Sequence, residues 1–187
     1  DYPDYCSPML GLHPTEVGAD YCKQLKELKS YLKEGHTFVG IGEIGLDFYW
    51  DDTFRKEQYD VFAKQIDLAN EWHLPIVIHS RNALDDTVRI VEEHYEPKLK
   101  GVFHSFSGSF EEAKRLMKFD NFYLGINGIV TFKKSNLPDV LPHIPLERIV
   151  LETDCPYLTP VPYRGKRNES SYIIYTSLPP ACSDESR

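Results

Sequence analysis

The chain has 187 residues, 41% hydrophobic and 27% charged, with a formal net charge of -8 at pH 7. This is the composition of a soluble globular protein with one sizeable core. The acidic balance excludes a protein that coats nucleic acid through a broad basic surface, but not an enzyme that neutralises phosphates within one cleft.

No apolar run approaches the roughly 20 residues that cross a bilayer, and the start of the chain lacks the basic and apolar stretches of a signal peptide. One cytoplasmic domain over 1–187 is therefore expected, with no membrane association and no obligate protein partner. The four cysteines, Cys6, Cys22, Cys155 and Cys182, are far apart and form no CxxC pair, so they read as reduced thiols.

In chain order, Pro8-Met9-Leu10-Gly11-Leu12 is a short apolar run closed by His13-Pro14, which predicts a buried strand ending in a loop. Leu25, Leu28 and Leu32 recur at helical steps between charged residues, and Gly35 supplies a stop, so 20–34 reads as an amphipathic helix. Phe38-Val39-Gly40-Ile41-Gly42-Glu43 predicts a second strand. Asp51-Asp52-Thr53 offers caps for a helix with Tyr59, Phe62, Ile66 and Ala69 on one face. Leu74-Pro75-Ile76-Val77-Ile78-His79 is apolar throughout, as expected of a strand buried on both faces.

The alternation continues with a helix marked by Leu84, Val88 and Val91, then a strand over Gly101-Val102-Phe103-His104. Ser109 and Glu112 have capping-box spacing before a helix carrying Ala113, Leu116 and Met117. Phe122-Tyr123-Leu124-Gly125-Ile126 and Arg148-Ile149-Val150-Leu151 complete six predicted strands. Strands separated by helical patterns imply a parallel sheet with crossover helices, either an open doubly wound sheet or a barrel.

Glu43, His79 and His104 end three of these strands, and Asp154 stands three residues beyond Leu151. In a parallel barrel all carboxyl ends open on one face, so side chains distant in sequence converge there. Two imidazoles and two carboxylates suit zinc, manganese or magnesium. The same residues also suit a polar network around a nonmetal ligand.

At these positions the sequence resembles the TatD family of metal-dependent deoxyribonucleases. The blocks are Gly11-Leu12-His13-Pro14, Gly42-Glu43-Ile44-Gly45-Leu46-Asp47, His79-Ser80-Arg81, His104-Ser105-Phe106-Ser107-Gly108, Glu152-Thr153-Asp154-Cys155-Pro156-Tyr157 and Arg167-Asn168-Glu169, in family order. The resemblance implies a TIM-type (β/α)8 barrel of the metal-dependent hydrolase type, two divalent metal ions (Mg, Mn or Zn) at its mouth, and DNA as substrate, cleaved from an end. Glu43, His79, His104 and Asp154 correspond to metal ligands.

The family's first strand carries a His-x-His pair, and nothing before Asp1 supplies it. At the other end, 179–184 is polar and helix-breaking where the family continues through closing helices. A partial barrel domain, truncated at both ends, is thus expected, and without the His-x-His pair it would hold only one ion firmly.

Phosphodiester hydrolysis needs a nucleophile generated near neutral pH and cations against the charge on phosphate oxygens, which a metal pair supplies. Glu43 is the bridging candidate, and Asp154 is both ligand and proton acceptor, so these two are the catalytic candidates. His13, Arg81 and Arg167 are the substrate-binding candidates, each set against a plainer reading: a structural turn for His13, an ion pair or solvated loop for the arginines. The aromatic run Phe48-Tyr49-Trp50 either stacks on an unpaired base or packs over the barrel mouth. His36, His73, His94 and His143 read as structural or solvated. Two alternatives to a nuclease remain: a barrel amidohydrolase or phosphotriesterase acting on a small molecule, and a catalytically inactive fragment.

Overall fold

The computed structural model describes residue 2 and residues 4–177; the helix-breaking stretch 179–184, with Cys182, lies outside the described residues. The chain divides into two compact units, Asp1–Val102 and Phe103–Arg187.

In the first unit, the predicted opening strand is reduced to a single parallel bridge between Leu10 and Ile41. Its hydrogen bonds are nonetheless regular: Leu10 N–H donates to Gly40 O, and Gly42 N–H donates to Leu10 O. A short 3-10 turn, Pro14–Glu16, follows, and then helix α1 (Tyr21–Lys33), which buries Leu25, Leu28 and Leu32 as their spacing predicts.

Strand β1 runs Ile41–Asp47, helix α2 Arg55–Trp72, strand β2 Ile76–Arg81 and helix α3 Leu84–His94. Strands β1 and β2 pair in parallel, as a crossover through a helix requires. Phe62, Ile66 and Ala69 on α2 are fully buried, as are Ile41, Ile44, Leu46, Ile76 and Ile78 on the strands and Val88 and Val91 on α3. The helix α2 packs against both β1 and α3.

Three local expectations differ. Asp51 does not cap α2: its carboxylate accepts from Thr53 N–H and the Thr53 hydroxyl, closing a turn before the helix begins. Both strands also extend beyond the residues at which the sequence suggested they stop, β1 by four residues past Glu43 and β2 by two past His79. A polar side chain reads as a terminator, yet strand pairing uses only the backbone and tolerates it.

The boundary between the units falls within strand β3 (Gly101–Phe103). In the second unit helix α4 (Phe110–Leu116) carries the complete capping box of Ser109 and Glu112. Strands β4 (Phe122–Ile126) and β5 (Ile149–Leu151) pair in parallel. Between them lie a 3-10 turn at Gly128–Thr131 and the short helix α5 (Leu137–Val140), and α6 (Ile173–Ser177) comes last. Phe103, Phe119 and Phe122 form a ring cluster with centroids 5.3 to 6.1 Å apart. Arg148 lies just before β5 and donates to Met117 O at the end of α4, to Phe119 O in the turn that follows and to Phe122 O at the start of β4.

Candidate metal centres

Each unit builds one cluster of metal-competent side chains. In the first, His13 stands at the turn after Leu12, Glu43 within β1 and His79 within β2. One candidate ligand atom from each lies within 4.8 Å of the others. His13 Nε2 is 3.6 Å and His79 Nδ1 3.9 Å from Glu43 Oε2, and the two imidazole rings meet edge to face at 4.7 Å.

The orientation of His79 is set from behind. Its Nε2 lies 2.8 Å from Asp47 Oδ2. An ionised carboxylate only accepts, so Nε2 carries the proton and donates it, and the neutral ring presents the Nδ1 lone pair towards Glu43. Asp47 is itself fixed: only 3% exposed, it accepts from Tyr49 N–H through Oδ1, and its backbone N–H and C=O are both held by the Gln58 amide. Burial pushes the His79 pKa down, ahead of the Asp47 hydrogen bond that pushes it up, and the net is below the usual histidine value. The unprotonated ring, able to bind metal, is therefore favoured.

Gly45 makes the approach of the two strands possible. Its φ is +140°, and a Cβ there would lie 1.9 Å from His79 O. No residue with a side chain fits beside this histidine.

The second unit repeats the device. His104 Nδ1 lies 2.7 Å from Glu152 Oε2, while Glu152 Oε1 accepts from Ser105 N–H at 2.6 Å. Nδ1 is thus the protonated nitrogen of the neutral ring, and in that form Nε2 presents its lone pair to Asp154 Oδ1 at 3.2 Å. A lone pair directed at a carboxylate is repulsive until a cation, a proton or a metal ion, lies between them. Both clusters thus suit a divalent ion: imidazole nitrogen and carboxylate oxygen as donors, with a second carboxylate orienting each ring, the arrangement common to metal-ligating histidines.

The loop carrying Asp154 is tightly held. Asn168, 2% exposed, donates to Thr153 O and Tyr157 O. Asp154 and Ser105 have φ of +56° and +52°, a left-handed conformation uncommon for residues with a side chain and concentrated at functional sites.

Of the predicted site residues, Glu43 and His79 come together in the first unit with His13, and His104 and Asp154 come together in the second. His13, expected near a substrate phosphate, faces Glu43 within the ligand cluster, and its Nδ1 is 2.7 Å from Thr15 Oγ1. Arg81 is exposed, with its guanidinium 3.8 Å above the Tyr49 ring. Arg167 is also exposed, beside the anchoring Asn168, while its neighbour Arg164 packs on Phe132 at 3.7 Å.

Sequence reasoning missed Asp47 and Glu152 as orienting carboxylates. The available signal was spacing: Asp47 closes the block that begins at Glu43, and Glu152 precedes Asp154 by two.

Alternating parallel strands and helices with histidine and carboxylate clusters define a metal-dependent hydrolase scaffold. The family model for TatD related DNase matches residues 1–178, and the chain belongs to that family. It is 44% identical over 179 residues to the metal-dependent hydrolase YabD of Bacillus subtilis, covering 93% of this chain and 68% of YabD. It is 36% identical over 165 residues to the metal-dependent hydrolase YcfH of Escherichia coli K12, covering 87% of this chain and 60% of that relative.

Among solved structures it is similar to the TatD homologue YjjV of Escherichia coli K12, with a TM-score of 0.80 and 29% identity over 92% of this chain and 68% of that one. A TatD family hydrolase of Entamoeba histolytica gives 0.70 and 29%, over 84% and 55%. The fold class is that of these homologues, the TIM-type β/α barrel of metal-dependent hydrolases. The chain spans 60 to 68% of the length of the curated relatives named here.

Proposed function

We propose that this chain is a divalent-metal-dependent phosphodiesterase acting on DNA, a deoxyribonuclease of the TatD type that digests from an end. The observation that carries the reading is the pair of carboxylate-backed histidines, Asp47–His79 and Glu152–His104, each turning an unprotonated ring nitrogen towards a further carboxylate. His13, Glu43 and His79 would hold an ion in the first unit, and His104 and Asp154 would hold one in the second. Bound divalent ions supply a water acidic enough to attack near neutral pH and positive charge against the phosphate oxygens.

The rest is done by the chain. Asp154 takes the proton of the attacking water, the loop around it held by Asn168 through Thr153 O and Tyr157 O. Asp47 and Glu152 keep their histidines in the tautomer that leaves a lone pair forward. Arg81 and Arg167, each with a planar fork of N–H donors, bind substrate phosphates.

The test is cleavage of an end-labelled single-stranded oligonucleotide in Mg, Mn or Zn, beside a lactone and an amide for the other hydrolase chemistries. The expected result is metal-dependent shortening of the oligonucleotide, stopped by chelation and abolished in Glu43→Ala with unchanged circular dichroism. Chelator-sensitive cleavage that survives Glu43→Ala would overturn the role of Glu43, and turnover of only the lactone or amide would overturn the nuclease reading.

A further inference from the structure

The loop that leaves β1 treats its three aromatic residues differently. Phe48 is half-buried, with the Arg55 guanidinium 3.9 Å above its ring and Tyr59 against its edge at 5.7 Å. Tyr49 and Trp50 are 51% and 72% exposed and meet each other at right angles, centroids 4.8 Å apart. Two exposed aromatic rings side by side form a contiguous apolar patch, and such patches rimmed by polar groups are favoured places for binding.

Arg81 gives that surface its chemistry. Its guanidinium lies 3.8 Å above the Tyr49 ring and 5.2 Å from the Trp50 ring. Stacked in this way, a guanidinium keeps the N–H groups at its edge free to bind phosphate oxygens. In a chain of net charge -8, this is a local cation beside two π-faces.

The position is equally telling. Tyr49 N–H donates to Asp47 Oδ1, and Asp47 Oδ2 accepts from His79, so one carboxylate separates the aromatic pair from a metal-ligating histidine.

We infer that Tyr49 and Trp50, with Arg81 beside them, form a stacking platform for an unpaired nucleobase next to the first cluster, and that the preferred substrate is therefore a single-stranded or frayed end. This deepens the nuclease reading above and rests on it. Stacking on a ring face tolerates any base, so the platform selects strandedness without selecting sequence. A base within a duplex has both faces covered and cannot use it.

The test separates the platform from the chemistry. Trp72→Phe leaves Trp50 as the single tryptophan of the chain, since there are two in all. Fluorescence of this variant, loaded with metal, is titrated with a phosphorothioate oligothymidylate that resists cleavage, and with an abasic strand of the same length and charge. The platform predicts quenching by the first and not the second; affinity, read separately from the anisotropy of a fluorescein-labelled phosphorothioate strand, is expected to be roughly 10-fold weaker after Trp50→Ala and restored by Trp50→Phe. Equal quenching by both strands, no quenching by either, or unchanged affinity in Trp50→Ala would overturn the platform. Quenching by the base-bearing strand with no hydrolysis of ordinary DNA would keep the platform and overturn the nuclease reading instead.

Discussion

In the neutral His104 ring the nitrogen without a hydrogen, Nε2, faces Asp154, because Nδ1 keeps its proton and donates a hydrogen bond to Glu152 across 2.7 Å. The tautomer thus depends on a residue that touches no ligand. Glu152→Gln can donate as well as accept and no longer holds the ring in one state. We expect metal affinity to fall by about 10- to 100-fold with the fold retained, measured by calorimetric titration of the metal-free chain. Unchanged affinity would show that Glu152 is merely a packing partner.

Gly125 makes room for that carboxylate: a Cβ at this position would lie 2.6 Å from Glu152 Oε2. Gly125→Ala should displace Glu152 from His104 and reproduce the loss of affinity. On a Glu152→Gln background the same substitution should add little, since the two act through one contact. Additive losses in this double-mutant cycle would point to separate effects.

Metal should also be felt in stability. An ion that binds the folded chain alone at about 100 times its Kd adds about 2.7 kcal/mol. Thermal unfolding with and without chelator should show this increment, and Glu43→Ala should shrink it. A melting curve indifferent to chelator at saturating metal would contradict both clusters.

Asp86 joins α3 to α2 by accepting from Tyr59 O–H at 2.9 Å and from Arg55 at 3.0 Å, and it also pairs with Arg89. Burial pushes its pKa up, but the hydrogen bonds from Tyr59, Arg89 and Arg55 outweigh this and hold it below the usual carboxylate range. A pKa lower in the folded than in the unfolded state means stability that is present above about pH 4 and lost as pH falls through the folded value. Asp86→Asn should cost about 1 kcal/mol near neutral pH. The difference from the parent should vanish in acid, where both carry a neutral side chain. Urea unfolding at several pH values gives the comparison, and a penalty independent of pH would refute the electrostatic account.

Ser109 accepts from Glu112 N–H, and Glu112 reaches back to Ser109 N–H at 2.6 Å. Ser109→Ala should cost about 1 kcal/mol of stability, read from denaturant midpoints. A shift within error would mean that tertiary packing alone holds α4.

The sequence revealed periodic elements well and pairings poorly. Leu25, Leu28 and Leu32 announced α1 through spacing, and the apolar run through Ile78 announced β2, because burial of one face or both leaves a repeat that can be counted. Short elements escaped: α5, four residues long and containing Pro138, is too brief for any repeat to show. The ligand-type residues Glu43, His79, His104 and Asp154 were visible because few side chains can bind metal. The orienting role of Asp47 and Glu152 was not, since a carboxylate's partner depends on which strands lie side by side. For the same reason the single bridge at Leu10 read as a full strand.

The register of β1 against β2 has one further implication. Ile41 lies opposite Ile76 and Ile44 opposite Ile78, so three steps on one strand match two on the other. Residues three apart on a regular strand point to opposite sides, yet the partners of Ile41 and Ile44, Ile76 and Ile78, are two apart and share one side. The supernumerary residue corrects the phase, and Glu43 sits inside the correction. Deleting one residue between these isoleucines would give a smoother ladder and either remove Glu43 or shift it in register, so the irregularity is the part of the strand an engineer should leave alone.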